Sequence, residues 1–194
     1  MENNLPPFVG FPKISRLRRA CVVTEKIDGT NAQINFLDDG TMLVGSRNRW
    51  ITPDKDNFGF ARWCFEHEAE LRSLGPGQHF GEWWGLGIQR TYGLTEKRFS
   101  LFNSGRWSNP ESGRPACCSV VPVLYAGPYK TEAVEAAMDA LRSGGSVAAP
   151  GFMKPEGVVV FHTANNSMQK ITFEHDEAGK DASANVPPPN LPVL

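Results

Sequence analysis

The sequence predicts an α+β fold, in which helices flank a curved and mainly antiparallel sheet. Segments with the pattern of strands outnumber segments with the pattern of helices along the 194 residues. Glycine (19 residues) and proline (15 residues) are more frequent than average, which is typical of proteins rich in strands and turns. Hydrophobic residues make up 40% and charged residues 21%, an ordinary globular composition rather than a disordered one.

The predicted strands are short segments in which apolar residues either alternate with polar ones or form a continuous run. They cover residues 20–25, 32–36, 41–45, 78–84, 98–102, 119–125, 157–161 and 168–173. Asp38-Asp39-Gly40 predicts a hairpin turn between the second and third of these strands, and Asn165-Asn166 predicts a turn between the last two. The run GVVVF at 157–161 has the clearest pattern of a buried strand.

Two segments have helical periodicity. Apolar residues recur near helical spacing over 54–74, and Gly75-Pro76 would end that helix. A second helix is expected over 131–143, with Thr131 as its N-cap and Gly144-Gly145 after its last turn. Its apolar face would consist of Val134, Met138 and Leu141.

Residues 1–175 are predicted to form one domain, and residues 176–194 a polar, proline-rich tail that adds no helix or strand. No apolar run approaches the roughly 18 residues that a membrane span requires, and the N-terminus lacks the apolar core of a signal peptide. The four cysteines include no C-x-x-C pair, which is typical of reduced thiols. We therefore expect a cytoplasmic protein that binds no membrane.

Several common kinds of site are absent from the sequence. It contains no G-x-x-x-x-G-K-[ST] phosphate loop, no histidine and cysteine pairs at zinc spacing, and no G-x-S-x-G elbow. With 20 basic and 21 acidic residues, the net charge of −1 does not predict a nucleic-acid binder either. Basic residues are concentrated locally, at Lys13, Arg16, Arg18 and Arg19 and again at Arg47 and Arg49. Such clusters would form a nucleic-acid channel only if they converge in space.

One segment, TEKIDGTN at residues 24–31, differs from an ordinary hairpin in its chemistry. Lys26 follows a predicted buried strand and precedes the Asp28-Gly29 turn, a position that would direct its amine from the end of a sheet into a cleft. Gly29 would let the backbone approach a ligand closely. Taken alone, the same string is equally compatible with a hairpin that carries a surface lysine.

The string resembles motif I, K-x-D-G-x-N, of the covalent nucleotidyltransferases, which comprise polynucleotide ligases and mRNA capping enzymes. Five further segments are similar to motifs of this superfamily and occur in its order: Gly45-Ser46-Arg47, Phe80-Gly81-Glu82, Arg98 to Asn103, Glu156 to Val160, and Gln169-Lys170-Ile171. Together they span about three-quarters of the chain. They look closest to the ATP-dependent RNA ligases of the phage T4 RNA-ligase-2 type, which implies the curved-sheet nucleotidyltransferase domain, similar to ATP-grasp, of those ligases.

The resemblance implies a catalytic role for Lys26. Its neutral amine would attack the α-phosphate of ATP and release pyrophosphate, and the resulting lysyl-AMP would pass AMP to an RNA 5′-phosphate before a 3′-hydroxyl seals the strand. Lys170 would contact the α-phosphate, and Glu156 would serve a divalent metal, Mg²⁺ or Mn²⁺. An arginine could not replace Lys26, because it does not deprotonate.

The resemblance also implies a set of nucleotide-binding residues. Phe102 would stack on the adenine, and Glu82 would bind a ribose hydroxyl. Arg47 would hold the ribose or a phosphate. Glu25 would lie beside the base, with its main chain reading the adenine edge, and Asn31 would lie near the ribose or the RNA end. Taken singly, these residues have ordinary explanations as core, edge, turn or solvated side chains, and it is their joint order with Lys26 that favours a site.

The sequence departs from the family pattern in three places. Asn103 occupies the position of an acid, and only Lys170 represents a motif that usually carries two lysines, so the alignment of Lys170 is open by two positions. Few residues follow this motif, from which we expect a minimal ligase with robust adenylylation and weak end-joining, in which an accessory protein replaces a C-terminal domain. Two alternatives stay open: a GTP-dependent guanylyltransferase of the capping type, and a catalytically inactive nucleotide- or RNA-binding module.

Overall fold

The computed structural model describes residues 9–14, 16 and 20–174. Within these residues the strands are β1 (Ala20–Lys26), β2 (Thr30–Phe36), β3 (Met42–Ser46), β4 (Trp50–Ile51), β5 (Gly77–Gly85), β6 (Lys97–Leu101), β7 (Cys118–Val120), β8 (Val123–Pro128), β9 (Gly157–His162) and β10 (Ser167–Thr172). The α-helices are α1 (Phe60–Glu66), α2 (Glu68–Leu71), α3 (Ser104–Trp107) and α4 (Thr131–Gly144). The strands form two sheets that are antiparallel apart from one pair, which confirms the predicted α+β class.

The first sheet has the strand order β10-β9-β1-β8 and packs one face against α4. Cys21 and Val23 of β1 and Val158 and Val160 of β9 are buried on this face. The helix contributes the apolar side chains Val134, Ala137, Met138 and Leu141. Because side chains alternate between the faces of a strand, Lys26, at an odd spacing from Val23, belongs to the opposite face.

The second sheet has the strand order β4-β3-β2-β5-β6-β7 and buries one face under α1 and the helical turns beside it. Ile34 and Val44 lie in this core, together with three large aromatic residues. The ring of Phe60 lies 5.3 Å from that of Trp83 and 5.0 Å from that of Phe99 in tilted arrangements. The alternate positions of β2, β3 and β5 therefore face away from this core and form the second face of the sheet.

A smaller core joins the segments that leave the two sheets. Ile27, directly after β1, is buried in one cluster with Trp84 of β5 and Val121, which lies between β7 and β8. The indole Nε1 of Trp84 donates a hydrogen bond of 2.8 Å to Ser100 Oγ, so its polar atom has a partner. Because Ile27 follows Lys26 directly, this cluster anchors the chain on the C-terminal side of the lysine.

The helix predicted over 54–74 is shorter than expected and is interrupted. It begins only at Phe60, after Gly59 in the left-handed region at φ 81°, and Asp56 accepts hydrogen bonds from two amides of its first turn. It is broken at His67, which has φ −108° and lies between α1 and α2. The hydrogen bonds of Asp56 fix the residue at which the helix begins. The spacing of apolar residues carries no information about such hydrogen bonds.

The strand predicted over 119–125 is two strands in different sheets. β7 pairs with β6 in the second sheet, and β8 pairs with β1 in the first. Pro122 lies at the crossing, where its missing amide cannot interrupt a ladder, and its carbonyl accepts from the amide of Glu25 at 2.9 Å. Thr131 is also not the N-cap of α4, since Lys130 occupies that position in extended conformation and no side chain caps the helix.

Part of the predicted organisation concerns residues that the structure does not describe. The proline-rich tail predicted at 176–194 lies outside the described residues. So do residues 1–8, 15, 17–19 and 175 of the domain predicted at 1–175, and with them Arg18 and Arg19 of the basic cluster. None of the described helices is both long and apolar enough to cross a membrane.

Substitution of Gly157 by alanine should destabilise the first sheet. Gly157 has φ 150°, and an added Cβ would lie 2.1 Å from the carbonyl oxygen of Ile171 on β10. We expect Gly157→Ala to lower the free energy of unfolding by about 2–4 kcal/mol, measured by urea denaturation. Gly144→Ala is the matched control, because a Cβ there meets no atom within 4 Å. Equal stability of the two variants would contradict the close approach of β9 and β10.

Candidate active site

Lys26 lies at the end of β1, and the pairing of β1 with β9 brings an acid to it. The last pair in the register sets Lys26 opposite Gly157, so Glu156 stands just before β9 beside the lysine. Lys26 Nζ donates to Glu156 Oε2 at 2.6 Å, and both side chains are mostly buried, with 23% and 15% of their surface exposed. Two residues 130 positions apart in sequence are thus joined by strand register.

Glu82 of β5 lies next to this pair and is held by the segment that follows Lys26. It stands opposite Asn31 of β2, and Asn31 Nδ2 and the amide of Gly29 each donate to its carboxylate at 3.1 Å. Its side chain is only 7% exposed. Burial raises the pKa of Glu82 to about 7, against the opposing effects of the Lys26 charge and the two hydrogen bonds.

Only glycine fits at position 29. A Cβ on Gly29 would lie 2.5 Å from the carbonyl oxygen of Trp83 and 3.0 Å from the side chain of Glu82. The sequence predicted that Gly29 lets the backbone approach a ligand. In the structure its close approach is to β5, which brings the Gly29 amide to the Glu82 carboxylate.

The loop after Lys26 is braced by two residues that the motif comparison did not identify. Arg90 binds Asp28 through Nε at 2.9 Å and Glu174 through Nη2 at 2.9 Å. The hydroxyl of Tyr92, a buried residue, accepts from the amide of Asp28 at 2.7 Å. Arg90 was visible in the sequence only as one of many basic residues, and Asp28 only as a turn residue, so neither partner could have been assigned without the fold.

Glu25 faces away from Lys26. Its carboxylate is 1% exposed and accepts from Ser146 Oγ at 2.5 Å and from the amides of Val147 and Ala148 at 2.9 Å each. Burial raises the pKa of Glu25, and these three hydrogen bonds oppose the rise. The Glu25 side chain thus attaches the segment after α4 to β1. Because side chains alternate along a strand, only the main chain of Glu25 is accessible from the face that carries Lys26.

A cavity of about 70 Å³ opens on the second face of the second sheet. Three of the predicted nucleotide-binding residues line it, namely Asn31, Arg47 and Phe102, and the rest of its wall is formed by Ala32, Gln33, Ser46 and Phe80. Phe102 is 39% exposed, which excludes the explanation that it is a core residue. Phe80 and Gln33 were not singled out from the sequence, although their alternation with buried residues along β5 and β2 is visible there.

Lys170 shares a face of the first sheet with Lys26 but does not touch it. Lys170 stands opposite Val159, which stands opposite Thr24, so these three side chains lie on the face that also carries Lys26. Two strand spacings and two residues separate the lysines, or roughly 12 Å between their Cα atoms. The Lys170 side chain is exposed.

Asn103, which departs from the family pattern, has a local structural role. Its side-chain oxygen accepts from the amide of Arg106 at 3.0 Å and caps α3, a short helix that the sequence did not predict. Asparagine is a favoured N-cap, so the departure is compatible with the local fold.

The arrangement is that of a primary amine in a partly buried cluster of carboxylates, beside a cavity lined by aromatic and polar side chains. Lys26, Glu156, Glu82 and Asn31 lie together, and Asn31 connects this cluster to the cavity that holds Arg47 and Phe102. Such a cluster can hold a nucleophilic amine next to a bound nucleotide.

Comparison with known proteins assigns the chain to a family. A family model described as RNA ligase matches residues 19–175. No curated protein sequence matches the chain significantly.

Solved structures of similar fold include RNA ligases from Naegleria gruberi and from an archaeon. A variant of a Naegleria gruberi RNA ligase, solved with ATP and Mn, is 23% identical with a TM-score of 0.60, over 82% of this chain and 51% of that one. An archaeal ATP-dependent RNA ligase is 20% identical with a TM-score of 0.61, over 87% of this chain and 49% of that one. The chain thus spans about half the length of these structures. At such identities the likeness establishes the fold, and it confirms the nucleotidyltransferase architecture that the resemblance implied.

Replacing Glu82 should change how stability depends on pH. The folded pKa of Glu82 is about 7, and an unfolded glutamate titrates near 4.5. Between these values the folded protein binds a proton that the unfolded chain has released, so the stability contributed by this group is lost as the pH rises through the window. Relative to the wild type, Glu82→Gln should therefore gain about 2–3 kcal/mol between about pH 5 and about pH 8, measured by urea denaturation.

Glu135→Gln is the control for this measurement, because Glu135 lies exposed on α4. A difference between Glu82→Gln and the wild type that stays constant with pH would contradict the burial of an ionisable Glu82.

Proposed function

The chain belongs to the RNA ligase family, and on this premise we propose that it is an ATP-dependent RNA ligase that works through a lysyl-AMP intermediate on Lys26. The observation that carries the proposal is the position of the Lys26 amine, 2.6 Å from Glu156 and next to Glu82, in a partly buried site beside a cavity. Ion pairs on the surface of this protein are more exposed than the pair of Lys26 with Glu156. The order of the motifs along the chain supports the role that is proposed here for each residue.

The proposed reaction has three steps. Lys26 Nζ, after losing its proton, attacks the α-phosphorus of ATP; an N–P bond forms, and the bond to the β-phosphate oxygen breaks to release pyrophosphate. A 5′-phosphate oxygen of RNA then attacks the same phosphorus, so AMP moves to the RNA and the amine is regenerated. Finally, a 3′-hydroxyl loses its proton and attacks the RNA 5′-phosphorus, forming the phosphodiester and releasing AMP.

The described residues divide the binding of ATP among them in this proposal. Phe102 stacks on the adenine, and Arg47 and Asn31 bind the ribose or a phosphate where the cavity meets the amine. Glu82 accepts from a ribose hydroxyl through the lone pairs that Gly29 and Asn31 leave free on its two oxygens. Lys170, on the same face as Lys26, is the cation for the α-phosphate once the phosphate lies between the two lysines.

Glu25 is proposed to act through its main chain. Its carboxylate is fully engaged with Ser146, Val147 and Ala148, so only backbone atoms of this residue are available to the edge of a base. The carboxylate then acts as the anchor that keeps the end of β1 in place.

Glu156 is compatible with a site for a divalent metal. The described residues contain no group of three or more metal-ligating side chains. Mg²⁺ and Mn²⁺ sites on nucleotides need only one or two carboxylates, because phosphates and water complete the coordination. Glu156 contacts the Lys26 amine directly, and its charge is one of the causes that raise the pKa of Glu82. A metal held by Glu156 would neutralise phosphate charge and weaken the hold of this carboxylate on the lysine ammonium.

The relatives support this choice of nucleotide and metal. One Naegleria structure was solved with ATP and Mn and another with AMP and Mn. The RNA substrate, with its 5′-phosphate and 3′-hydroxyl ends, follows from family membership. Because the chain spans about half the length of those ligases, we also propose that a further unit, either a partner protein or another part of the polypeptide, holds the RNA during joining in the cytoplasm.

Loss of the Lys26 amine should abolish the covalent adduct. Wild-type protein incubated with ATP and Mg²⁺ or Mn²⁺ should gain one AMP unit in its intact mass, whereas Lys26→Ala and Lys26→Arg should gain none. The arginine variant keeps the positive charge beside Glu156 but cannot supply a neutral amine. Lys130→Ala, an exposed lysine at the start of α4, should be labelled like the wild type. An adduct on folded Lys26→Ala would remove the proposed mechanism.

The identity of the nucleotide separates the proposal from its two alternatives. With α-³²P-labelled ATP and GTP in parallel, we expect label transfer to the protein from ATP only. Transfer from GTP only would identify a guanylyltransferase of the capping type. Binding of ATP without transfer from either nucleotide would identify an inactive binding module.

A further inference from the structure

Exposed aromatic side chains form a row across the second sheet, and the proposed nucleotide site accounts for only one end of it. Trp50 of β4 pairs with Gly45 of β3, Gly45 with Gln33 of β2, and Gln33 with Phe80 of β5. Phe102 continues the row, since its amide donates to the carbonyl of Phe80 at 2.9 Å. Directly paired residues of antiparallel strands share a face, so all five lie on the face that carries the cavity.

The aromatic members of this row are exposed. Trp50 is 50% exposed, Phe80 49% and Phe102 39%. Ile51, the neighbour of Trp50, is 4% exposed in the core on the other face, which confirms the direction of Trp50. Because Gly45 has no side chain, the position beside Trp50 on this face of the sheet is open. A Cβ on Gly45 would lie 2.8 Å from the side chain of Gln33.

The length of the row exceeds what one nucleotide can cover. Trp50 and Phe102 are separated by four strand spacings, from β4 to β6, or about 19 Å. An adenine stacked on Phe102 therefore leaves Trp50 to a different base.

The charge around Trp50 suits a nucleic-acid backbone. Arg47 and Arg49 lie in the turn just before Trp50, and both are exposed. Segment 46–56 carries three basic residues and two acids, and one of these acids, Asp56, is turned to the amides of α1. Exposed aromatic rings beside basic side chains are the combination that binds single-stranded nucleic acid by stacking and backbone contact.

We propose that Trp50 is a stacking residue for an unpaired base of the RNA substrate, separate from the nucleotide site at Phe102. This inference rests on the proposed function for the identity of its ligand. It deepens that function by predicting that the ligase holds at least one unstacked, single-stranded base away from the nucleotide site, across the same face of the sheet. Arg47, at the edge of the cavity and two positions before Arg49, lies between the two sites and would follow the backbone that connects them.

The test measures RNA affinity with matched aromatic variants of the full chain. The probe is a short, 5′-phosphorylated, fluorescently labelled single-stranded RNA, and the readout is fluorescence polarisation. Trp50→Ala should weaken binding about 5- to 100-fold, because one stacked base is lost, and Trp50→Phe should recover most of the affinity. Phe65→Ala is the control, since Phe65 is similarly exposed, at 47%, on α1 beneath the other face of the sheet.

A second arm tests for unpaired bases. On a blunt duplex RNA of the same sequence, Trp50→Ala should bind like the wild type, because paired bases cannot reach the indole. Wild-type affinity of Trp50→Ala for the single strand would overturn the proposal, and so would an equal loss on single strand and duplex.

A third measurement uses the fluorescence of the protein itself. Of the five tryptophans, Trp50 is the exposed one, while Trp83, Trp84 and Trp107 are buried and Trp63 is partly buried. Single-stranded RNA should quench emission of the wild type and not of Trp50→Phe. Quenching that persists in Trp50→Phe would contradict stacking on Trp50. Absence of the AMP adduct in the wild type would instead remove the proposed function, so the two failures are distinguishable.

Discussion

The register between β1 and β9 is the constraint on which the candidate site depends. It sets Lys26 opposite Gly157 and so places Glu156 within 2.6 Å of the amine. A slip of one residue would turn Lys26 to the α4 face and replace it with an apolar or acidic side chain. The directly paired Val23 and Val160 pack against α4 and hold this register. On the other side of β9, Gly157 admits the carbonyl of Ile171 at a distance that no other residue allows, which fixes β9 against β10. Packing of an apolar core is therefore what positions a charged pair.

Three glutamates around β1 illustrate how burial assigns different tasks to the same side chain. Glu25 is buried and fully hydrogen-bonded, and it anchors the segment after α4. Glu82 is buried with a pKa raised to about 7, and its two donors come from the loop that follows the lysine. Glu156 is partly exposed and pairs with the lysine itself. Desolvating a carboxylate is costly, so each buried one is retained with partners that hold a loop in place.

Much of this arrangement was predictable from two features of the sequence. Alternating apolar residues identify the strands, and six segments occur in the order of the motifs of a known superfamily. The predicted strands at 20–25, 32–36 and 157–161 correspond to β1, β2 and β9. The pattern of apolar residues did not contain the local effects of single polar residues or of proline. Asp56 shortened a helix through side-chain hydrogen bonds, and Pro122 allowed the chain to change sheets. In the site, Arg90 was unrecognisable because its partners, Asp28 and Glu174, lie 62 and 84 positions away.

In the proposed mechanism the Lys26 amine, and no other group, becomes bonded to the phosphorus of AMP. The most direct measurement is peptide mapping by tandem mass spectrometry of the wild-type protein after incubation with ATP and a divalent metal. We expect a single modified peptide, covering the end of β1, with AMP on Lys26. AMP on another residue, such as Lys170, or no modified peptide in a folded and ATP-saturated sample, would contradict it.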